Sequence, residues 1–147
     1  MYVAVVGPGE AASSDDVTAA SAVGALLARA GCIVLTGGRG GVMAAATLAA
    51  NDAGGLTVAL LPGPSRDGCA ATVALPTGLG ELRNALLIRA ADAVIAIGGS
   101  WGTLSEIALA RRTGVPLVAL GGWVISGGEL ERAADPAAAV EWVLAHR

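Results

Sequence analysis

The sequence predicts an α/β protein with a single domain over residues 1–147, in which a doubly wound parallel sheet carries helices on both faces. Short apolar runs alternate with Ala- and Leu-rich helical stretches along the whole chain, as in repeated βαβ units. The run Ala93–Ile97 has no polar interruption, which is typical of a parallel strand covered on both faces. A chain of 147 residues is long enough to bury a full core as one domain.

The first half of the chain predicts three strands and two helices. The strand Val3–Val6 comes first, and Ser13 or Ser14 caps a helix that extends to Ala30 and ends at Gly31. The elements that follow are a strand at Ile33–Thr36, a helix at Val42–Ala53 and a strand at Thr57–Leu61.

The second half continues this alternation after a Pro- and Gly-rich loop. Asp135 is expected to cap the last helix, with Pro136 at its first position. The elements before it are a short strand Ala71–Leu75, a helix Gly80–Ala91, the strand Ala93–Ile97, a helix Trp101–Arg112 and a strand Pro116–Leu120. This order is that of a Rossmann-like domain.

Three glycine-rich loops, Gly7–Gly9, Gly37–Gly41 and Gly98–Gly102, each follow a predicted strand. Right-handed crossovers place all strand-to-helix loops at the carboxyl edge of the sheet, so we expect these loops to line one crevice. Glycine lets the backbone approach a ligand, and a helix N-terminus favours an anion such as phosphate. The predicted binding residues are Gly7, Gly9, Gly37, Gly38, Arg39, Gly40, Gly41, Met43, Asn84, Gly98, Gly99, Ser100, Trp101, Gly102 and Thr103.

These segments also fit two other patterns. Thr103 to Glu106 has the spacing of a capping box, which would make both residues structural, although it does not account for the glycines. Gly7–Ala12 fits the dinucleotide pattern GxGxxA, but no acidic residue follows the second strand, and Arg39 would have to meet an NADP 2′-phosphate instead.

Composition excludes several functions. A net charge of -3 and scattered cations argue against nucleic-acid binding, and the apolar runs are too short to span a membrane despite a mean hydropathy of +0.68. All nine cationic residues are arginine, so neither a Schiff-base lysine nor a Walker A lysine exists. With one histidine, His146, no metal site is expected. Cys32 and Cys69 are expected to be reduced thiols of a cytoplasmic protein.

Arg83 and Glu106 are the candidate catalytic residues. Arg83 lies near the start of the helix that leads into the Ala93 strand, and Glu106 lies on the helix after that strand, so both side chains can reach one pocket. Arginine grips phosphate bidentately, and a carboxylate can stabilise a sugar-like cation or activate water. This pair suits hydrolysis of the N-glycosidic bond of a nucleotide.

The segments Arg83–Asn84, Ala91–Ala96 and Gly98–Glu106 resemble the LOG-like Rossmann family, once labelled lysine decarboxylase-like. The resemblance implies a nucleoside 5′-monophosphate phosphoribohydrolase in which Arg83 and Glu106 are catalytic and Gly99, Gly102 and Thr103 bind phosphate. That family's hydrolases carry Arg-Lys and PGGxGTxxE. Lysine decarboxylation through a Schiff base is excluded here because the chain has no lysine.

The departures from that pattern favour a compact branch that includes molybdenum-cofactor carrier proteins. Asn84 replaces lysine, Gly98 replaces proline and Ser100 replaces the second glycine. We therefore expect a nucleotide-like ligand and no resident cofactor, with phosphoribohydrolase activity as the leading function. The alternatives are a non-catalytic carrier of molybdenum cofactor or a nucleotide, and an interaction protein with a vestigial pocket. The apolar composition and the resemblance also predict a homodimer built on the Arg83 and Trp101 helices.

Overall fold

The computed structural model describes residues 1–146, and one parallel sheet of seven strands forms its centre. In chain order the strands are β1 (Tyr2–Val6), β2 (Ile33–Thr36), β3 (Thr57–Leu61), β4 (Val73–Pro76), β5 (Ala93–Ile97), β6 (Leu117–Leu120) and β7 (Glu131–Arg132). They lie in the order β4-β3-β2-β1-β5-β6-β7, and every pair is parallel. The predicted α/β class is confirmed.

Helices cover both faces of the sheet. They are α1 (Ser14–Arg29), α2 (Val42–Asp52), α3 (Arg83–Ala90), α4 (Trp101–Thr113) and α5 (Pro136–Ala145), and a 3₁₀ turn at Gly80–Leu82 leads directly into α3. Alternate residues of β1 and β5 face opposite sides, because side chains along a strand alternate. Val5 and Ile95 pack with α1, α2 and α5 on one face, while Val6 and Val94 pack with α3 and α4 on the other.

The helix caps follow the sequence closely. Ser13 caps α1 in a capping box with Asp16, whose carboxylate accepts the Ser13 N–H while the Ser13 hydroxyl accepts the Asp16 N–H. Asp135 caps α5 and Pro136 begins it. Gly114 ends α4 at φ +74°, a conformation that other residues rarely adopt. These local signals determine where three of the helices begin or end.

Three parts of the second half differ from the predicted elements. β4 is Val73–Pro76 rather than Ala71–Leu75, and the helix predicted from Gly80 is a 3₁₀ turn followed by α3. β7 was not predicted, because it has only two residues, both charged and exposed, and so carries no apolar pattern. Both strands lie at the edges of the sheet, where tertiary contact with one neighbour decides their extent.

Within residues 1–146, none of the helices has the length and apolar composition needed to cross a membrane.

Candidate functional site

A crevice of about 470 Å³ opens at the carboxyl ends of the strands. β1 lies between β2 and β5, so the direction in which the chain adds strands reverses there, which is where doubly wound sheets bind their ligands. A volume of this size suits a nucleotide-sized molecule. The lining residues are Gly7, Gly9, Glu10, Arg39, Gly40, Met43, Pro62, Gly80, Glu81, Arg83, Asn84, Ser100, Gly102, Thr103 and Glu106.

Close backbone contact joins the first two glycine loops. The Val42 N–H donates to the Pro8 carbonyl oxygen at 3.0 Å. Gly41 has φ +61°, and a Cβ at this position would overlap the Gly9 carbonyl. Gly7 packs equally tightly, since a Cβ there would lie 2.5 Å from the Ile97 carbonyl oxygen. These glycines allow the loops after β1 and β2 to meet, and they thereby shape one wall of the crevice.

Arg83 is the first residue of α3 and lies at the bottom of the crevice, with only 5% of its surface exposed. Its Nε and Nη1 atoms have no hydrogen-bond partner among residues 1–146. Gly37 makes room for the guanidinium, because a Cβ at Gly37 would overlap it. A buried polar group without a partner costs free energy, and the guanidinium therefore has unused donors for an anionic ligand.

Glu106 lies in the second turn of α4 and is 6% exposed at the same crevice. Burial raises the pKa of its carboxyl group from 4.5 to about 7, although the positive charge of Arg83 opposes the rise. Burial also lowers the pKa of Arg83; Glu106 opposes this change, and the nearby charge of Arg39 adds to it. The crevice thus brings together the Arg83 guanidinium, which has unused hydrogen-bond donors, and the Glu106 carboxyl group, which is protonated in part at neutral pH.

The N-terminus of α4 forms a second wall. Ser100 is its N-cap, and the Ser100 hydroxyl accepts the Thr103 N–H at 3.1 Å and lies 2.9 Å from the Thr103 hydroxyl. The alternative interpretation of Thr103 to Glu106 as a capping box is therefore wrong, because α4 begins two residues before Thr103. The cap is local to Ser100, so the Glu106 carboxyl group is not used to hold the helix end and faces the crevice instead.

Arg83, Glu106 and nine of the fifteen predicted binding residues line this crevice. Gly37, Gly38 and Gly41 lie behind its wall, and Gly38 packs on the Leu61 side chain. Gly98, Gly99 and Trp101 are also outside it. The predicted residues that do line it are Gly7, Gly9, Arg39, Gly40, Met43, Asn84, Ser100, Gly102 and Thr103.

Gly98, Gly99 and Trp101 face other segments of the chain instead of the crevice. A Cβ on Gly98 would meet the Asp16 carboxylate, and one on Gly99 would lie 2.5 Å from the Trp123 ring. Trp101 is 79% exposed and contacts Trp123 edge-on, with ring centroids 5.0 Å apart. Gly99 therefore accommodates an indole here, whereas we expected it to admit phosphate.

Four lining residues were not predicted: Glu10, Pro62, Gly80 and Glu81. Glu10 directly follows the first glycine loop, and this position beside the loop was an available signal. Pro62 follows β3 and Gly80 begins the 3₁₀ turn, and neither carries a chemical signal in the sequence. Among residues 1–146, no three His, Cys, Asp or Glu side chains come together to hold a metal ion.

Comparison with known proteins gives a consistent family. A model of the SLOG cluster4 family matches residues 1–141. The molybdenum cofactor binding protein of Rippkaea orientalis is 35% identical, with a TM-score of 0.93 over 98% of this chain and 95% of that one. The molybdenum cofactor carrier protein of Chlamydomonas reinhardtii is 35% identical, with a TM-score of 0.91 over 99% and 96%. An uncharacterized protein of Archaeoglobus fulgidus is 38% identical over 122 residues, which are 82% of this chain and 80% of that protein.

Proposed function

This chain belongs to the SLOG cluster4 family, and we propose that its crevice binds and carries a phosphorylated pterin or nucleotide, with the molybdenum cofactor as the favoured cargo. The observation that carries this proposal is the buried Arg83 guanidinium with two donors that have no partner among residues 1–146. A phosphate group supplies acceptors in the fork geometry that arginine prefers. Similarity to carrier proteins across nearly the whole chain supports carriage over turnover.

The other lining groups suit the rest of such a ligand. Gly102 lies in the first turn of α4, and a Cβ there would meet only the Ser100 hydroxyl oxygen, at 3.8 Å, so the backbone is open to a phosphate. The helix dipole adds a favourable field at this end. Arg39 provides a second positive charge at the same crevice. Phosphate binding therefore rests on two cations and one helix N-terminus.

The direct test is transfer of the cofactor to the purified protein. Molybdenum cofactor released from a molybdoenzyme is mixed with the protein, which is then separated by gel filtration. We expect molybdenum and the fluorescence of oxidised pterin to elute with the protein, and to be lost in Arg83→Met, which keeps the buried volume but removes the donors. Absence of both from the protein fraction refutes carriage.

Hydrolysis of a nucleoside 5′-monophosphate is the second candidate, and the burial of Glu106 beside Arg83 favours it. A carboxylate there would stabilise the ribosyl cation and take a proton from the attacking water, whose oxygen bonds to ribose C1′. The bond from C1′ to the base nitrogen breaks, and the carboxyl group returns the proton to the departing base. Asn84, where the similar hydrolases carry lysine, leaves this chain with one cation fewer for that step. Release of ribose 5-phosphate and free base from a monophosphate panel tests it.

The proposal includes a cytoplasmic homodimer. Leu82, Leu86 and Trp101 are 75%, 46% and 79% exposed, and they belong to the 3₁₀ turn, α3 and α4, which pack side by side. Exposed apolar residues on adjacent elements are typical of a surface between subunits. The cytoplasmic location rests on the expectation that both cysteines are reduced thiols.

A further inference from the structure

The crevice contains more negative groups than a phosphate site requires. Three glutamates, Glu10, Glu81 and Glu106, line it together with two arginines. A ligand that offered only phosphate oxygens would meet repulsion from the negative charges of Glu10 and Glu81. The ligand must therefore also bring hydrogen-bond donors, and the unpartnered buried Arg83 at the same crevice shows that the site is built for a ligand.

Carboxylates distinguish the common heterocycles by their edges. An ionised carboxylate has acceptors only, so it pairs best with two N–H groups side by side. The 2-amino-4-oxopyrimidine edge of guanine and of pterin presents such a pair, a ring N–H and an amino N–H. The corresponding edge of adenine presents one amino group beside a ring nitrogen lone pair, which a carboxylate repels.

Glu10 is placed for this task and Glu81 is not. The Glu10 Cγ lies 4.0 Å from where a Cβ of Gly40 would be, so the Glu10 side chain approaches the second glycine loop at Gly40. The Met43 methyl carbon lies 3.9 Å from where a Cβ of Gly9 would be, and the Met43 thioether offers an apolar contact for an aromatic ring. Glu81 lies two residues before Arg83, at the end assigned to phosphate.

We propose that Glu10, in the crevice that Met43 also lines, recognises the 2-amino-4-oxopyrimidine edge, so that the crevice prefers guanine- or pterin-bearing phosphates over adenine-bearing ones. This inference rests on the proposed function, since Arg83 must hold the phosphate. It adds the ligand class and a specificity-determining residue.

The test measures dissociation constants of ribose 5-phosphate, AMP, IMP and GMP by calorimetry. IMP differs from GMP only in lacking the 2-amino group. We expect GMP to bind about tenfold more tightly than IMP, which lacks one of the two hydrogen bonds to the charged group. We expect AMP to bind more weakly still, because its edge lacks the paired donors. We also expect a pterin monophosphate, measured in parallel, to bind more tightly than AMP. The tighter binder of GMP and the pterin monophosphate then identifies the heterocycle that the crevice prefers.

Glu10→Gln separates recognition from general electrostatics. Loss of a negative charge alone would tighten binding of every phosphate, whereas loss of recognition weakens GMP about tenfold and leaves its advantage over IMP small. Glu10→Asp keeps the charge but shortens the reach, and we expect it to lose the same preference. Glu141→Gln, an exposed position on α5, is the matched control and leaves all four constants unchanged.

The outcomes distinguish this inference from the proposed function. If ribose 5-phosphate binds but GMP and AMP bind equally, edge recognition is refuted while phosphate binding stands. If Glu81→Gln, and not Glu10→Gln, removes the preference, the assignment to Glu10 is wrong. If neither ribose 5-phosphate nor any monophosphate binds, the proposed function itself fails. Glu10 is exposed in a loop, so each variant should melt as the parent does.

Discussion

Ionisation of Glu106 should make the protein less stable as the pH rises. The pKa of its carboxyl group is about 7 in the folded protein against an ordinary value of 4.5. The unfolded chain therefore ionises first, so the free energy of unfolding falls between about pH 4.5 and pH 7 and is level above that range. A pKa difference of about 2.5 corresponds to a loss of about 3 kcal/mol at most, at 1.36 kcal/mol per pKa unit.

Glu106→Gln isolates this contribution, because glutamine has the shape of the protonated side chain and does not ionise. We expect the variant to match the parent near pH 5 and to exceed it by up to about 3 kcal/mol at pH 8. Urea unfolding followed by tryptophan fluorescence in phosphate-free buffer measures the difference, with Glu141→Gln as control. If the difference between variant and parent stays constant from pH 5 to pH 8, Glu106 ionises normally and the argument from burial is wrong.

The other predictions concern the ligand and the assembly. Arg83→Met should abolish the rise in melting temperature that ribose 5-phosphate causes, which is worth about 2.7 kcal/mol at 100 times the dissociation constant. Gly37→Ala should weaken ribose 5-phosphate binding by displacing the guanidinium, whereas Gly63→Ala, whose Cβ meets nothing within 4 Å, should not; equal affinities would contradict the packing argument. Leu82→Glu should convert a dimer to a monomer in light scattering, and a monomeric parent would reject the interface. Any hydrolysis of a monophosphate should fall about a hundredfold or more in Glu106→Gln, and unchanged turnover would exclude Glu106 as catalytic.

Much of the fold could be predicted because its signals are local. The apolar run Ala93–Ile97 and the helix caps at Ser13 and Asp135 depend on neighbours within a few residues. Parallel order and right-handed crossovers then bring the strand-to-helix loops to one edge without knowledge of any side-chain contact. The edge strand β7 could not be predicted in this way, because it has no apolar pattern and forms through its pairing with β6.

The roles of individual glycines were decided by tertiary contact. Gly37 and Gly99 look alike in sequence, each following a strand in a glycine loop. Gly37 leaves space for the Arg83 guanidinium, and Gly99 leaves space for the Trp123 ring. In each case the space that a Cβ would fill is taken by a side chain from a distant segment. A glycine pattern predicts that another group approaches the backbone closely, but whether that group is a ligand or a side chain depends on tertiary packing.

By itself the sequence determined the fold class, because periodicity and helix caps depend on residues close together in the chain. It also identified Arg83 and Glu106 as candidate functional residues and predicted the edge of the sheet at which they would meet. Only the tertiary structure decided that both side chains are buried at one crevice, that Arg83 has unpartnered donors and that Glu10 and Glu81 share its lining. Burial and the shift it causes in the pKa of Glu106 depend on every segment that packs around the group, and those segments come from across the chain.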